Sequence, residues 1–381
     1  MGNYIRHWQK AIFVGIIAFS LIPLATWADS GPAHRVDQRF PIQLGTSGGN
    51  INDSSKGFCY GGTLGALVED ASGNQFILSN NHVLARTNAA ATGEGIVQPG
   101  LIDQSPACFK DNTDIVANLS EFIPILFKTK GTMPPNAVDA AIARVRADYV
   151  DSTGFILDIG TLSSDTVEPI LGMAVKKSGR TTGLTRGTIS AIDVTVDISY
   201  GSGKSARFTN QTMVTPGGFI AAGDSGSLMV EDVDVNPHAV GLLFAGSSTT
   251  AIANPIDDVL KSFGVSMVGS GPHASVMGKI LAWAKKLLSV AESQAANAQL
   301  PPQASQAAVD AVKRVRERHE RRLLATPGVI GVGVGVSEKA GRQAAIEVYV
   351  IQATESLKQA LPKSLDGVEV KIIETGEIHA Y

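Results

Sequence analysis

Gly223-Asp224-Ser225-Gly226-Ser227 reads as a tight turn between two apolar runs, and far upstream Asn81-His82-Val83 closes a third run that begins Phe76-Ile77-Leu78. A serine hydroxyl is a poor nucleophile at neutral pH. Such a turn carries chemistry only with a base, a carboxylate that orients the base, and amide donors for an oxyanion. The chain offers a residue for each role.

His82 ends the stretch Phe76 to Asn81, so a strand delivers it to an element end, the exposed and well-held placement a base needs. Asp139 heads Asp139-Ala140-Ala141-Ile142-Ala143, where a loop with Pro134 and Pro135 enters an apolar strand. A carboxylate among small residues can be buried against an imidazole N–H, fix its tautomer and stabilise the imidazolium. Asp111 and Asp114 are rivals, but their polar loop near Cys108 lacks a strand to position them. Gly223 and Gly226 let the chain turn tightly around Ser225, which makes the N–H groups of Gly223 and Ser225 the expected oxyanion donors. Ser227 stands where the last glycine of a G-x-S-x-G elbow would be, which speaks against an α/β-hydrolase.

The 381 residues exceed one ordinary core, and a hydrophobic share of 44% is that of a globular chain, so two folded units are expected. A net charge of −3, from 32 basic and 35 acidic residues, gives no field to attract nucleic acid. Arg6, His7 and Lys10 precede the apolar segment Ala11 to Ala25 and the small-residue site Thr26-Trp27-Ala28. That is the pattern of a signal peptide, residues 1–28, and predicts a secreted or periplasmic protein. The other reading is an uncleaved anchor, for which the run is short. Export suits the two cysteines, and Cys59 with Cys108 is expected to form one disulfide. The bridge would close a loop of about 50 residues holding His82, worth on the order of 4 kcal/mol in the chain-entropy model. A catalytic thiol lacks the basic or helix-start surroundings that would lower its pKa. His and Cys are too few and scattered for a zinc site, so neither metal nor other cofactor is expected.

Residues 29–56 read as an N-terminal extension. From Gly57 to Val268, short apolar segments alternate with Gly, Pro, Asn, Asp and Ser, the pattern of an all-β domain. Strands are expected at 138–145, 174–177, 187–198, 208–215, 227–230 and 239–245, and a hairpin turns at Asp70-Ala71-Ser72-Gly73-Asn74. Residues 88–135 show no period that assigns them. In 269–302, Met277, Ile280, Leu281, Ala284, Leu287 and Leu288 recur at helical spacing, an amphipathic helix before the linker Leu300-Pro301-Pro302-Gln303. Docking on its own protein is the commoner fate of such a helix, a membrane surface the other. Residues 303–381 give a charged helix Val309 to Leu324, read as a solvated face, then strands at 329–336 and 344–351, a helix near Glu355 to Ala360 and a strand at 368–373. This predicts a small α+β unit. Gly331, Gly333 and Gly335 alternate with valine inside a strand and lack the helix start that a dinucleotide loop needs.

The ordered set His82, Asp139, Ser225, with His ending a strand, Asp opening one, and Gly-Asp-Ser-Gly, resembles the trypsin-like (chymotrypsin-fold) serine peptidases over roughly residues 57–268. Lys177-Ser178-Gly179-Arg180-Thr181-Thr182-Gly183-Leu184-Thr185 and Gly241-Leu242-Leu243-Phe244-Ala245-Gly246-Ser247 are similar to a bacterial subgroup. The resemblance implies two six-stranded β-barrels, with His82 and Asp139 from the first and Ser225 from the second, and an endopeptidase working through an acyl-enzyme on protein or peptide substrates. In that subgroup a small α+β unit usually precedes the peptidase domain; here it follows, and intramolecular regulation is one role for it. The residue six before the nucleophile, at the pocket base in this family, is Phe219 rather than aspartate. A pocket closed by Phe219 and edged by Phe244, Ala245 and Gly246 favours small or apolar side chains over Lys or Arg. Residues 29–57 contain no obvious activation sequence that would free an amine for Asp224, which leaves that carboxylate to another partner. Two alternatives stand beside the enzyme: an inactive peptide-binding relative, and a surface interaction or assembly module defined by the α+β tail.

Overall fold

A computed structural model describes residues 31–55, 57–271, 304–337 and 343–381. The expected signal peptide and the expected helix around 277–288 lie outside these residues. No helix among the described residues is long and apolar enough to cross a membrane.

The first barrel is built from β1 (Thr46–Asn50), β2 (Gly62–Leu64), β3 (Ala66–Glu69), β4 (Gln75–Ser79), β5 (Gly95–Val97), β6 (Ile115–Phe122) and β7 (Ala141–Val145). β2 and β3 are one run bent at Gly65, and that bend closes the barrel. β1 pairs with β2 and β5, β5 with β6, β6 with β7, β7 with β4, and β4 with β3. Six strands thus encircle a core that includes Leu64, Leu67, Ile77, Leu78, Val116 and Leu119. The hairpin at Asp70 forms as expected: Gly73 has φ +78°, and the Asp70 carboxylate accepts the N–H groups of Ser72 and Asn74. Residues 88–135, without a period in sequence, contribute β5 and β6. β1 lies within the stretch read as an extension.

The second barrel comprises β8 (Ala174–Lys177), β9 (Thr185–Ser199), β10 (Ser205–Thr215), β11 (Leu228–Glu231), β12 (Ala239–Gly246) and β13 (Ala251–Pro255). The pairings run β9–β8–β11–β12–β13–β10 and return to β9. β12 is buried at every position because it serves three apolar clusters: Leu242 joins the first-barrel core, Val240 and Leu243 the second, and Phe244 and Ala245 a third. A strand buried on both faces is a rigid platform for whatever lies at its end.

The C-terminal unit is α1 (Gln306–Leu324), β14 (Val329–Val336), β15 (Ala344–Val350), α2 (Glu355–Ala360), β16 (Val368–Glu374) and β17 (His379–Ala380). Val329–Val336 and Glu355–Ala360 match their sequence-based limits. Ser305 and Thr354 cap the two helices through the N–H groups of Ala308 and Leu357. The unit is not a separate bead. β14 pairs antiparallel with β9, Thr195 opposite Val332, so its sheet continues that of the second barrel. The charged helix also departs from a purely solvated reading. Val309, Val312, Val315 and Leu323 are buried, and so is Arg316, whose guanidinium lies 3.0 Å from Asp193 and donates to Thr195 Oγ1. A carboxylate on a bulge of β9 draws this one arginine inward.

Candidate active site

A single helical turn, Asn81–Leu84, follows β4 directly and carries His82 out of the barrel. Its neighbours anchor it: Val83 and Leu84 are buried, and Asn81 Nδ2 donates to the Ile123 carbonyl at 2.7 Å. Asp139 sits just before β7 and is wholly buried. Its Oδ2 lies 2.6 Å from His82 Nδ1, and its Oδ1 accepts the His82 backbone N–H at 3.2 Å. Asn254 of β13 accepts the Asp139 N–H, and Asn80 donates to its carbonyl, so both barrels fix the main chain that carries this carboxylate. The rivals stay apart. Asp111 caps its own loop through Thr113, and Asp114 accepts from Gln104.

Ser225 lies in the turn before β11. Its carbonyl accepts the N–H of Thr63 in the first barrel at 2.8 Å. Gly62 explains how the two halves meet: a Cβ there would lie 2.6 Å from Val83 Cγ2 and 2.9 Å from the Ser225 carbonyl oxygen. Only a bare position admits the His82 turn and the Ser225 turn together. Gly223 has φ +96°, a left-handed value that a side chain would resist. The N–H groups of Asp224, Gly226 and Ser227 donate to Ala221, Leu243 and Asp224. Among the described residues, those of Gly223 and Ser225 donate to no protein acceptor, which leaves two amides of one turn for an incoming oxygen. The Ser225 hydroxyl donates to the Phe244 carbonyl at 3.2 Å, and His82 Nε2 lies 2.8 Å from the main-chain oxygen of Tyr381.

Of the expected pocket residues, Phe219 is buried in the second-barrel cluster and Phe244 packs on Phe208, so Phe244 reaches the site through its carbonyl. Ala245 and Gly246 form the end of β12. The disulfide between Cys59 and Cys108 is present, with Cα atoms 5.5 Å apart.

Three contributors are not marked out for a role by their own sequence context. Tyr200, beyond β9, donates its hydroxyl to Asp139 Oδ2 at 2.7 Å. Burial and the Asp139 charge push its phenol well above the ordinary tyrosine value. Lys177 supplies the cation for Asp224: its Nζ is 3.4 Å from Oδ2, and both side chains are sealed from water. Burial brings Lys177 down to about 8 against the opposing pull of Asp224. Asp224 also accepts the N–H groups of Ala221, Thr181 and Thr182 and the Thr182 hydroxyl, which ties the Ser225 turn to residues 181–182. Asn254 is the third. For His82, burial disfavours the charge, but the Asp139 carboxylate and the Tyr381 oxygen outweigh it and hold the imidazole above its ordinary value.

With Nδ1–H directed at Asp139, a neutral ring would present a lone pair at Nε2. A hydrogen bond from Nε2 to the Tyr381 oxygen would need a second N–H, which the imidazolium form has.

Among characterised proteins, the chain is 32% identical over 105 residues to Glutamyl endopeptidase 2 of Streptomyces griseus, covering 27% of this chain and 52% of that protein. The figures for Serine protease 1 of Streptomyces fradiae are 32% over 105 residues, 27% and 28%. The chain therefore spans about half the length of the first relative and less of the second. Solved structures similar to it include a glutamic acid specific serine protease (21% identity, 59% of this chain and 100% of that one, TM-score 0.41) and Thermobifida fusca Protease A (17%, 60% and 99%, TM-score 0.40). Two closed six-stranded barrels meeting at His82 and Ser225, with serine proteases as sequence relatives, make this a trypsin-like fold. The Nal1 C-terminal domain profile matches residues 47–254, more than half of the length, and the chain belongs to that family.

Proposed function

We propose that the protein is a secreted or periplasmic serine endopeptidase in which Ser225 is the nucleophile, His82 the base and Asp139 the residue that orients it. The observation that carries this reading is the 2.6 Å contact of Asp139 with His82 Nδ1, at the seam where the Ser225 turn is bonded to the opposite barrel. Ser225 attacks the peptide carbonyl as His82 Nε2 takes its proton, and Asp139 stabilises the imidazolium. The N–H groups of Gly223 and Ser225 receive the oxyanion, and His82 returns the proton to the departing amine. Water then repeats the cycle on the acyl-enzyme. We assign catalysis to the two barrels, and to the α+β unit a regulatory role in the same molecule. Phe219, in place of an acidic residue, disfavours cleavage after Lys or Arg. The glutamyl preference of one relative is not carried over.

The test is labelling by a fluorophosphonate of the wild type beside Ser225→Ala, His82→Ala and Asp139→Ala. The wild type takes up label, the serine variant none, and the other two far less. Label on the serine variant would redirect the assignment. A second reading, an inactive peptide-binding relative, is favoured by the Ser225 hydroxyl resting on Phe244; it predicts no label on any of the four.

A further inference from the structure

The segment Ile378–Tyr381 lies in the cleft as a peptide would. β17 runs antiparallel to the end of β12, with Ala380 opposite Ala245 and His379 opposite Gly246, and on its other side His379 is bridged to Ser199. The Ser199 N–H donates to the Ile378 carbonyl at 2.9 Å. Ile378 is completely buried in the cluster with Phe244, Ala245 and Ile252, which anchors the segment. Beyond this anchor the chain reaches the catalytic residues: the main-chain oxygen of Tyr381 stands 2.8 Å from His82 Nε2. Its ring is folded over Gly246. A Cβ on Gly246 would lie 3.1 Å from Tyr381 Cε2, 3.1 Å from Ile220 Cδ1 and 3.0 Å from the Thr250 carbonyl oxygen. The ring packs on the cluster that holds Phe219 and Ile220, and burial raises its phenol above the ordinary value. Ser225 has no solvent exposure.

We propose that Ile378–Tyr381 is a built-in occupant of the peptide groove, which inhibits the site and marks the space over Gly246 as the pocket for an aromatic side chain next to the reacting carbonyl. This rests on the peptidase reading. Three features support it together. Strand addition supplies sequence-independent affinity, the ring supplies side-chain selection, and a main-chain oxygen occupies the proton-accepting nitrogen. A substrate must displace all three. The residue class that suits the groove is therefore an extended segment with Tyr or Phe before the scissile bond and a small residue, like Ala380, preceding it.

The experiment compares the full chain with a chain lacking residues 377–381, and with Tyr381→Gly and Ala380→Pro, the last of which removes an N–H from the ladder. The two point variants retain Ile378 and serve if the shortened chain does not fold. Three quantities are read: fluorophosphonate labelling, hydrolysis of matched chromogenic peptides ending in Ala-Tyr, Ala-Glu or Ala-Arg, and binding of a dye-labelled peptide Glu-Ile-His-Ala-Tyr. A tethered segment acts at millimolar effective concentration, so its loss raises hydrolysis of the Ala-Tyr substrate by at least about tenfold. Added peptide restores inhibition, and the dye-labelled peptide binds the shortened chain and not the full one. Equal hydrolysis by labelled full and shortened chains, or a preference for Ala-Glu or Ala-Arg, overturns the proposal while leaving the peptidase reading intact. If no chain is labelled, the peptidase reading fails by itself. Dye-peptide binding then decides occupancy: selective binding to the shortened or substituted chains keeps it, and equal or absent binding overturns it.

Discussion

Lys177 Nζ lies 3.4 Å from Asp224 Oδ2 in a space closed to water, with Nζ also donating to the Gly183 carbonyl at 2.8 Å. The cation that steadies Asp224, the residue before Ser225, is thus part of β8. Lys177→Met leaves a buried carboxylate without its counter-charge, a loss of about 3–5 kcal/mol by comparison with other broken buried pairs. Chemical denaturation should show that loss, and fluorophosphonate labelling should fall with it.

The same lysine sets an alkaline limit. Its folded value of about 8 lies below the ordinary 10.5, so between these values the unfolded chain binds the extra proton and this group's contribution to stability rises with pH. The contact with Asp224 changes in the opposite sense, for it loses its charge as pH passes about 8. Labelling should decline there without a parallel drop in melting temperature from this group. A joint decline of both would show that another group governs the limb.

His82 sets the acid limit. Asp139 on one side, with Tyr200 behind it, and Asp53 at longer range face the imidazole, and their balance against burial raises it. With His82 as the proposed base, only the neutral imidazole can take the Ser225 proton, so labelling should fall as pH drops through this raised value. For a group raised on folding, the added stability is complete below the unfolded value and vanishes as pH climbs through the folded one. Asp139→Asn should move the His82 imidazole resonances, followed by NMR, to a lower midpoint and cut turnover by roughly 10⁴.

Tyr200→Phe removes one donor from Asp139 and leaves the ring packing on Phe127 and Phe208 intact. A hydrogen bond to a buried charge is worth about 1.5–3 kcal/mol, and that is the expected loss in denaturation. Asp139 becomes a stronger acceptor for His82, so the acid limb of labelling should shift upward. An unchanged limb would separate Tyr200 from the orientation of the base.

The disulfide spans 49 positions, and replacing both Cys59 and Cys108 by serine should cost about 4 kcal/mol in the chain-entropy model. Neither cysteine touches the three catalytic candidates. Below the lowered melting temperature, the labelling rate should be that of the parent.

What could be read from sequence was what local pattern encodes. The strand of 329–336, the helix of 355–360 and the turn at Gly73 follow from residue period and turn chemistry within a few positions. His82, Asp139 and Ser225 stood out because each falls at the boundary of an apolar run. Tyr200 and Asn254 did not, since their roles depend on distant partners: Tyr200 reaches Asp139 across 61 positions, and Asn254 across 115. Lys177 sat inside a recognised motif, but nothing local distinguishes a buried lysine in a strand from an exposed one. Arg316 was hidden for a similar reason, as its charge suggests solvent until Asp193 is seen across the sheet. The pairing of β14 with β9 has no local signature, because valine and glycine in alternation would suit any open strand edge.

That last pairing governs how the molecule can be divided. β9 extends past β8, and residues 192–196 rely on β14 for their outer hydrogen bonds. Cutting the chain before residue 304 would bare this edge, together with the apolar surface under Val312 and Val315. The trimmed protein would be sticky, prone to pair edge to edge with its own copies, and a loss of soluble yield would say nothing about chemistry.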